Sequence, residues 1–121
     1  MRTLSEKISM LEIGGRKIPR DEAGFLMEPV DWDRDVAKFI AAEENIELNS
    51  EHWDIIKFVR DSFERDAITP DARLAYRFVA DTSGLGRNES RKHFYDLFPY
   101  GYVTQTCRIA GMRQPRTWST G

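Results

Sequence analysis

The chain has 121 residues, of which 40% are hydrophobic and 31% charged, with a net charge of −2 at neutral pH. This length fits one domain that buries enough apolar surface to fold without a disulfide or a structural metal. The single cysteine excludes an internal disulfide and indicates a reducing compartment, and no segment approaches the ~20 apolar residues of a membrane span. We therefore expect a soluble, cytoplasmic protein without a membrane anchor.

Residues 10–20 predict a β-hairpin within about residues 8–20. Leu11 and Ile13 alternate on one side of the first strand, and Gly14 with Gly15 supplies the two positive-φ residues of a tight turn. A lone hairpin is marginally stable, so this one must lie on an apolar surface.

Residues 31–98 predict a bundle of four helices, because apolar residues recur there at helical spacing between short breaks. The helix starts that we expect are Asp31, Asn49 or Ser50, Thr69 with Pro70, and Asn88. The inward side chains that we expect are Trp32, Val36, Phe39, Ile40, Trp53, Ile56, Val59, Phe63, Leu74, Phe78, Val79, Phe94, Tyr95 and Phe98.

Residues 99–121 predict one more short helix and a C-terminal arm. Pro99 ends the fourth helix, and the last helix covers about residues 102–110, after Gly101 and before Gly111. The fold class is therefore mainly α: one domain, residues 1–121, made of a small helical bundle with an N-terminal hairpin.

The two halves of the chain differ in charge. From residue 84 onward there are six basic and two acidic residues, whereas the first 83 residues carry an excess of six acidic groups. Such asymmetry is typical of a docking face for an anionic partner, although short chains can be uneven by chance. We predict partner-binding residues in this half: Arg87, Arg91, Lys92, Arg108, Arg113, Arg116 and Trp118.

The residues offer no metal or cofactor site. His52, His93 and Cys107 are far apart and match no zinc spacing, and residues 83–88 have no strand before them, as a phosphate loop would need. His52, at the third position of its helix, indicates a packing or capping role. We expect neither a metal nor a cofactor.

Cys107 is the candidate catalytic residue, and its local pattern leaves two interpretations open. Most free cysteines are small buried hydrophobes, and Cys107 lies within the last predicted helix. Nearby cations, however, lower the pKa of a thiol, and Arg108, Arg113 and Arg116 follow closely. A nucleophilic pair with His93 is a further alternative.

Nucleic-acid binding is a third possibility. The helices on either side of residues 82–88 could form a helix-turn-helix, with Arg87, Arg91 and Lys92 at the start of the second helix. The connection over residues 82–88 is long for this motif, and the whole domain is acidic. We therefore expect nucleic-acid binding to be the weaker interpretation.

Two stretches carry a family resemblance over nearly the whole chain, from about Leu11 to the end. "EENIELNSEHWDIIKFVRD" and "LFPYGYVTQTCRIAGMRQPR" resemble the DsrC/TusE family of sulfur-relay proteins, which are gamma-subunit-like proteins of dissimilatory sulfite reductase. The specific pieces are Glu51-His52-Trp53, Leu97-Phe98-Pro99 and residues 107–111 with Pro115.

The resemblance implies an orthogonal helical bundle with an N-terminal hairpin and a mobile C-terminal arm. It also implies sulfur carried as a persulfide or trisulfide on cysteines of that arm, one penultimate and one eleven residues earlier, which Cys107 matches. In DsrC the arm inserts into a sulfite reductase, whereas TusE uses only the penultimate cysteine to pass sulfur towards tRNA thiolation. The implied partner is a sulfur-transfer or sulfite-reductase-like protein.

This chain departs from the family pattern at its end. Trp118 stands eleven residues after Cys107, and Tyr102-Val103 replaces the usual small residues and proline. The resemblance then leaves a carrier that uses Cys107 alone, or a binding or regulatory member whose Cys107 is structural.

Overall fold

The computed structural model describes residues 8–114, and its elements confirm a mainly helical fold with an N-terminal hairpin. The strands are β1 (Ser9–Ile13) and β2 (Arg16–Arg20), and a 3₁₀ turn covers Pro29–Asp31. The helices are α1 (Arg34–Glu43), α2 (Ser50–Asp66), α3 (Ala72–Ser83) and α4 (Arg87–Leu97), followed by a π-helical turn (Tyr102–Thr106) and α5 (Cys107–Ile109).

The hairpin forms as predicted, in antiparallel register with Leu11 opposite Ile18. Gly14 and Gly15 have φ values of 55° and 83°, which the tight turn requires. Leu11 and Ile18 are buried, and β1 packs against α1. The hairpin therefore obtains from the bundle the apolar support that it cannot supply itself.

The start of α1 differs from the prediction by two or three residues. The N-cap is Asp33, whose carboxylate accepts a 3.0 Å hydrogen bond from the backbone N–H of Val36, and Asp31 belongs to the preceding 3₁₀ turn. Several acidic residues in a row could cap this helix, and the local pattern does not choose among them. Trp32 therefore precedes the helix. Phe39 is exposed, against expectation, because the buried face of α1 is made by Val36, Ala37, Ile40 and Ala41.

Asn49 caps α2, as predicted, but the caps expected for α3 and α4 are wrong. Asp71 caps α3, because its carboxylate accepts from Leu74 N, and Leu74 itself is exposed. Gly86 stands at the N-cap of α4, and Asn88 lies inside the helix. The connection between α3 and α4 is residues 84–86, shorter than the sequence indicated.

The core runs through every element and includes most of residues 98–112. Tyr102, Cys107, Ile109, Ala110 and Met112 are all fully buried. The π-helical turn packs against α3, and α5 packs against α1. The C-terminal part described here is therefore part of the body of the fold.

Candidate functional site

The Cys107 segment, defined here as residues 101–112, has backbone turns that fix the cysteine between two glycines. Gly101 (φ 92°) precedes the π-helical turn, whose last hydrogen bond joins Cys107 N to Tyr102 O. At the other end, Gly111 (φ 77°) allows Met112 N to donate to Cys107 O at 3.0 Å. The Met112 bond forms a Schellman motif together with the 3.2 Å bond from Gly111 N to Arg108 O. Both backbone polar groups of Cys107 are therefore occupied.

The Cys107 thiol is shielded from solvent. The residue is 0% exposed, and burial raises the pKa of the thiol to about 12, while a hydrogen bond with the Tyr102 hydroxyl acts more weakly in the opposite direction. The thiol is therefore protonated at neutral pH in this conformation, and a protonated thiol is a poor nucleophile. The expectation that nearby arginines lower its pKa is wrong for this conformation.

Tyr102 fastens the start of the segment to the chain before α3. Its hydroxyl donates to the backbone carbonyl of Pro70, and its ring lies 6.3 Å from the Phe94 ring between centroids. Burial is the main cause that raises the pKa of Tyr102 above its usual range. Pro70 is buried and precedes the Asp71 cap, so it is not the first residue of α3.

A carboxylate on α1's C-cap holds the residues on both sides of Cys107. Glu44 accepts from Gln105 Nε2 at 2.9 Å through Oε1, and from Arg108 Nη1 at 2.7 Å through Oε2. The Arg108 guanidinium also lies over the Phe25 ring, 5.3 Å from its centroid. Arg108 is thus paired with Glu44, and the pKa of the Cys107 thiol follows from burial and from the Tyr102 hydrogen bond.

Trp32 and Arg60 hold the far end of the segment by its backbone carbonyls. Trp32 Nε1 donates to Ile109 O at 2.8 Å, and Arg60 Nη1 donates to Ala110 O at 3.1 Å. The Arg60 guanidinium stacks on the Trp32 ring at 4.4 Å. A Cβ at Gly111 would lie 2.7 Å from Trp32 Cβ, so the indole closes tightly over this glycine.

The other predicted partner-binding residues lie elsewhere. Arg113 donates to Met27 O at 3.1 Å and pairs with Glu28, with its side chain mostly exposed. Arg87, Arg91 and Lys92 are exposed on α4, where the Arg91 guanidinium lies over the Tyr76 ring. Arg116 and Trp118 lie outside the described residues.

The two histidines are engaged with groups other than the thiol. His52 completes a capping box with Asn49, and its Nε2 lies 2.8 Å from Leu97 O, which confirms its capping and packing role. Burial is the main cause that lowers the pKa of His52. His93 Nε2 lies 2.8 Å from Glu51 Oε2, so the structure does not support a nucleophilic pair with Cys107.

Sequence reasoning missed Glu44, Trp32, Arg60, Tyr102 and Gln105 as parts of this site. Glu44 and Arg108 are 64 residues apart, and Trp32 and Ile109 are 77 apart, so no local spacing connects them. Within residues 8–114 no group of three or more metal-binding side chains comes together, and no helix is long and apolar enough to cross a membrane.

These features define a class: a small helical protein with a hairpin, whose one thiol is buried in a C-terminal turn. The family model described as "DsrC like protein" matches residues 12–118 of this chain. The chain therefore belongs to the DsrC-like family, which confirms the resemblance.

Relatives with names and solved structures agree with this assignment. The chain is 37% identical over 106 residues to the Salmonella typhimurium sulfurtransferase TusE, an alignment that covers 88% of this chain and 96% of that protein. It is similar to the solution structure of Allochromatium vinosum DsrC, with 37% identity, a TM-score of 0.79 and coverage of 93% and 99%. It is also similar to the oxidised gamma-subunit of the Archaeoglobus fulgidus dissimilatory sulfite reductase, with 33% identity, a TM-score of 0.80 and coverage of 92% and 100%.

Proposed function

We propose that this protein works in a sulfur relay of sulfur metabolism and that Cys107 carries the sulfur. Membership of the DsrC-like family and the sulfurtransferase name of its relatives support the relay. The observation that carries the assignment to Cys107 is that the chain's only cysteine lies in the segment between Gly101 and Gly111.

The chemistry at Cys107 is a transfer between sulfur atoms. The Cys107 thiol loses its proton to solvent, and the thiolate attacks the outer sulfur of a persulfide on a partner protein. A bond forms between Cys107 Sγ and that sulfur as the partner's own S–S bond breaks. The partner's cysteine leaves as a thiolate and takes up a proton, so no net oxidant or reductant is needed.

The buried thiol sets a condition on this reaction. A protonated thiol without solvent contact cannot attack a partner's persulfide, so the Cys107 segment must open first. Binding of the partner supplies this opening if the partner binds the open form more tightly than the closed form. The closed form then protects the thiol from oxidation between transfers.

The partner is a sulfur-transfer or sulfite-reductase-like protein with an acidic docking face. The exposed cations Arg87, Arg91, Lys92 and Arg113 support this proposal, because charge complementarity raises the rate of encounter. We place the protein in the cytoplasm, where reducing conditions keep Cys107 a free thiol. We further propose that residues 1–121 form one domain, since the Cys107 segment packs within the core of the helical bundle.

A second function has one observation in its favour. Complete burial of Cys107 is also what a structural cysteine shows, and the protein would then bind a relay partner without carrying sulfur itself. In that case the thiol fills space in the core, and an alanine would replace it with little loss.

Intact mass measured after incubation with a cysteine desulfurase and its substrate separates the two functions. The reduced protein and Cys107→Ser are incubated side by side, with and without a relay partner. A gain of one sulfur atom in the wild-type protein alone supports the carrier. No gain under either condition, together with normal partner binding by Cys107→Ser, supports the second function.

A further inference from the structure

We propose that Glu44 is the positioning residue that controls access to the Cys107 thiol. Its carboxylate holds the residues on both sides of the cysteine, and release of these bonds opens the Cys107 segment. This inference rests on the proposed function for its biological meaning, but the opening itself can be measured without any sulfur transfer.

The position of Glu44 makes it a single point of control. It is the C-cap of α1, where Asn45 turns the chain with a φ of 61°, and its side chain is only 15% exposed. One oxygen receives Gln105, two residues before Cys107, and the other receives Arg108, one residue after it. Removing one carboxylate therefore releases both sides of the thiol.

Gln105 links Glu44 to the backbone just before the π-helical turn. The Gln105 side chain is buried, and its Oε1 accepts a 3.0 Å hydrogen bond from Tyr100 N. Without Glu44, the Gln105 amide N–H groups would lie buried without this acceptor. A buried donor that loses its acceptor favours the conformation in which water can reach it.

The closed segment also leaves two polar atoms without partners on the residues that flank Cys107. Thr106 Oγ1 and Arg108 Nε are buried and have no hydrogen-bond partner among the described residues. Both would gain water if the segment opened, so the closed form is stabilised less than its burial suggests. The charge-assisted bonds to Glu44 offset this cost.

The other contacts of the segment suit a hinged movement. Trp32 and Arg60 hold the backbone carbonyls of Ile109 and Ala110, and neither touches Glu44 through a described hydrogen bond. Loss of the Glu44 bonds therefore leaves the far end of the segment attached. The Tyr102 hydroxyl still donates to Pro70 O and holds the start of the segment, so the part that moves lies between Tyr102 and Ile109 and includes the thiol.

The rate at which iodoacetamide modifies Cys107, followed by intact mass in native buffer, tests this inference. Glu44→Gln keeps the size of the side chain but replaces one of the two acceptor oxygens with an NH2 donor, so we expect modification roughly tenfold faster than in the wild-type protein. The matched control is Glu43→Gln, since Glu43 is the neighbouring carboxylate and pairs with Arg20 at 2.8 Å. Its modification rate should stay within about twofold of the wild-type rate.

Denaturant dependence separates local opening from general destabilisation. Val59→Ala weakens the core from α2, where Val59 is fully buried, and urea brings this variant and Glu44→Gln to the same global stability. The Glu44→Gln rate should stay constant at low urea and exceed the Val59→Ala rate. If Glu44→Gln does not fold, Arg108→Met removes one of the two bonds and should show a smaller acceleration.

A wild-type rate in Glu44→Gln, or equal rates in Glu44→Gln and Val59→Ala at matched stability, would overturn the role of Glu44. Sulfur loading is scored separately. Faster alkylation without any sulfur gain would support the control by Glu44 and contradict the proposed function of Cys107, so the two failures are distinguishable.

Discussion

The Cys107 segment and the first turns of α4 are both basic, yet they use their cations in different ways. The Arg108 guanidinium lies over the Phe25 ring and donates to Glu44, so its charge is paired within the fold. Arg87 and Lys92 on α4 point into solvent. The cations of the C-terminal half therefore differ in role. Arg108 stabilises the fold, whereas Arg87 and Lys92 are exposed and available to a partner.

The largest effect that we expect comes from Gly111→Ala. The φ of 77° strains any residue with a side chain, and the new Cβ would lie 2.7 Å from Trp32 Cβ and Cγ. The free energy of unfolding should fall by about 3 kcal/mol or more, because strain and overpacking add. Urea denaturation followed by circular dichroism measures this loss, and a loss below about 1 kcal/mol would contradict the closed packing of Trp32 on the segment.

Cys107→Ser tests the apolar surroundings of the thiol. The serine hydroxyl would be buried, with the Tyr102 hydroxyl as a hydrogen-bond partner, so we expect a loss of about 1–3 kcal/mol in unfolding free energy. Cys107→Ala is the matched control, because it leaves no polar group to satisfy and should cost less. Equal losses in the two variants would show that the pocket is more polar than described.

The raised pKa of Cys107 predicts that stability depends on pH. In the unfolded chain the thiol titrates near pH 9, whereas in the fold its pKa is about 12. Above pH 9 the unfolded chain holds fewer protons than the folded protein, so stability falls as pH rises towards 12.

The slope of this fall approaches about 1.4 kcal/mol per pH unit for one thiol. Urea denaturation between pH 8 and pH 10.5 measures it, with Cys107→Ala as the reference that lacks the thiol. If the free energy of unfolding fell equally with pH in the wild-type protein and in Cys107→Ala, Cys107 would be solvated in the native state.

The smallest effect on stability is expected on α4. Arg87→Glu combined with Lys92→Glu changes only exposed charges, so the free energy of unfolding should change by less than about 0.5 kcal/mol. The same pair should weaken capture of an acidic relay partner, and the difference from wild type should shrink at high salt. Unchanged capture at low salt would remove α4 from the docking surface.

Local patterns predicted the parts of this fold that local chemistry decides. The Gly14-Gly15 turn and the Asn49 cap depend on residues within a few positions, and both formed as expected. The caps of α1 and α3 did not, because neighbouring residues such as Asp31 and Asp33 offer the same chemistry.

The candidate site was predictable only in part, for a physical reason. The sequence points to Cys107 and to the basic residues around it, since it has one cysteine and an uneven charge. The sequence does not show that Arg108 pairs with Glu44, which reaches it from the end of α1. Contacts over such separations follow from the packing of whole helices and have no periodic signature.

Sulfur loading of three proteins by a cysteine desulfurase, read by intact mass, tests the account most directly. The wild-type protein should gain one sulfur atom slowly, Glu44→Gln should gain it faster, and Cys107→Ser should gain none. An absence of sulfur on Glu44→Gln, in a sample whose Cys107 reacts readily with iodoacetamide, would contradict the claim that Cys107 is a sulfur carrier controlled by the opening of its segment.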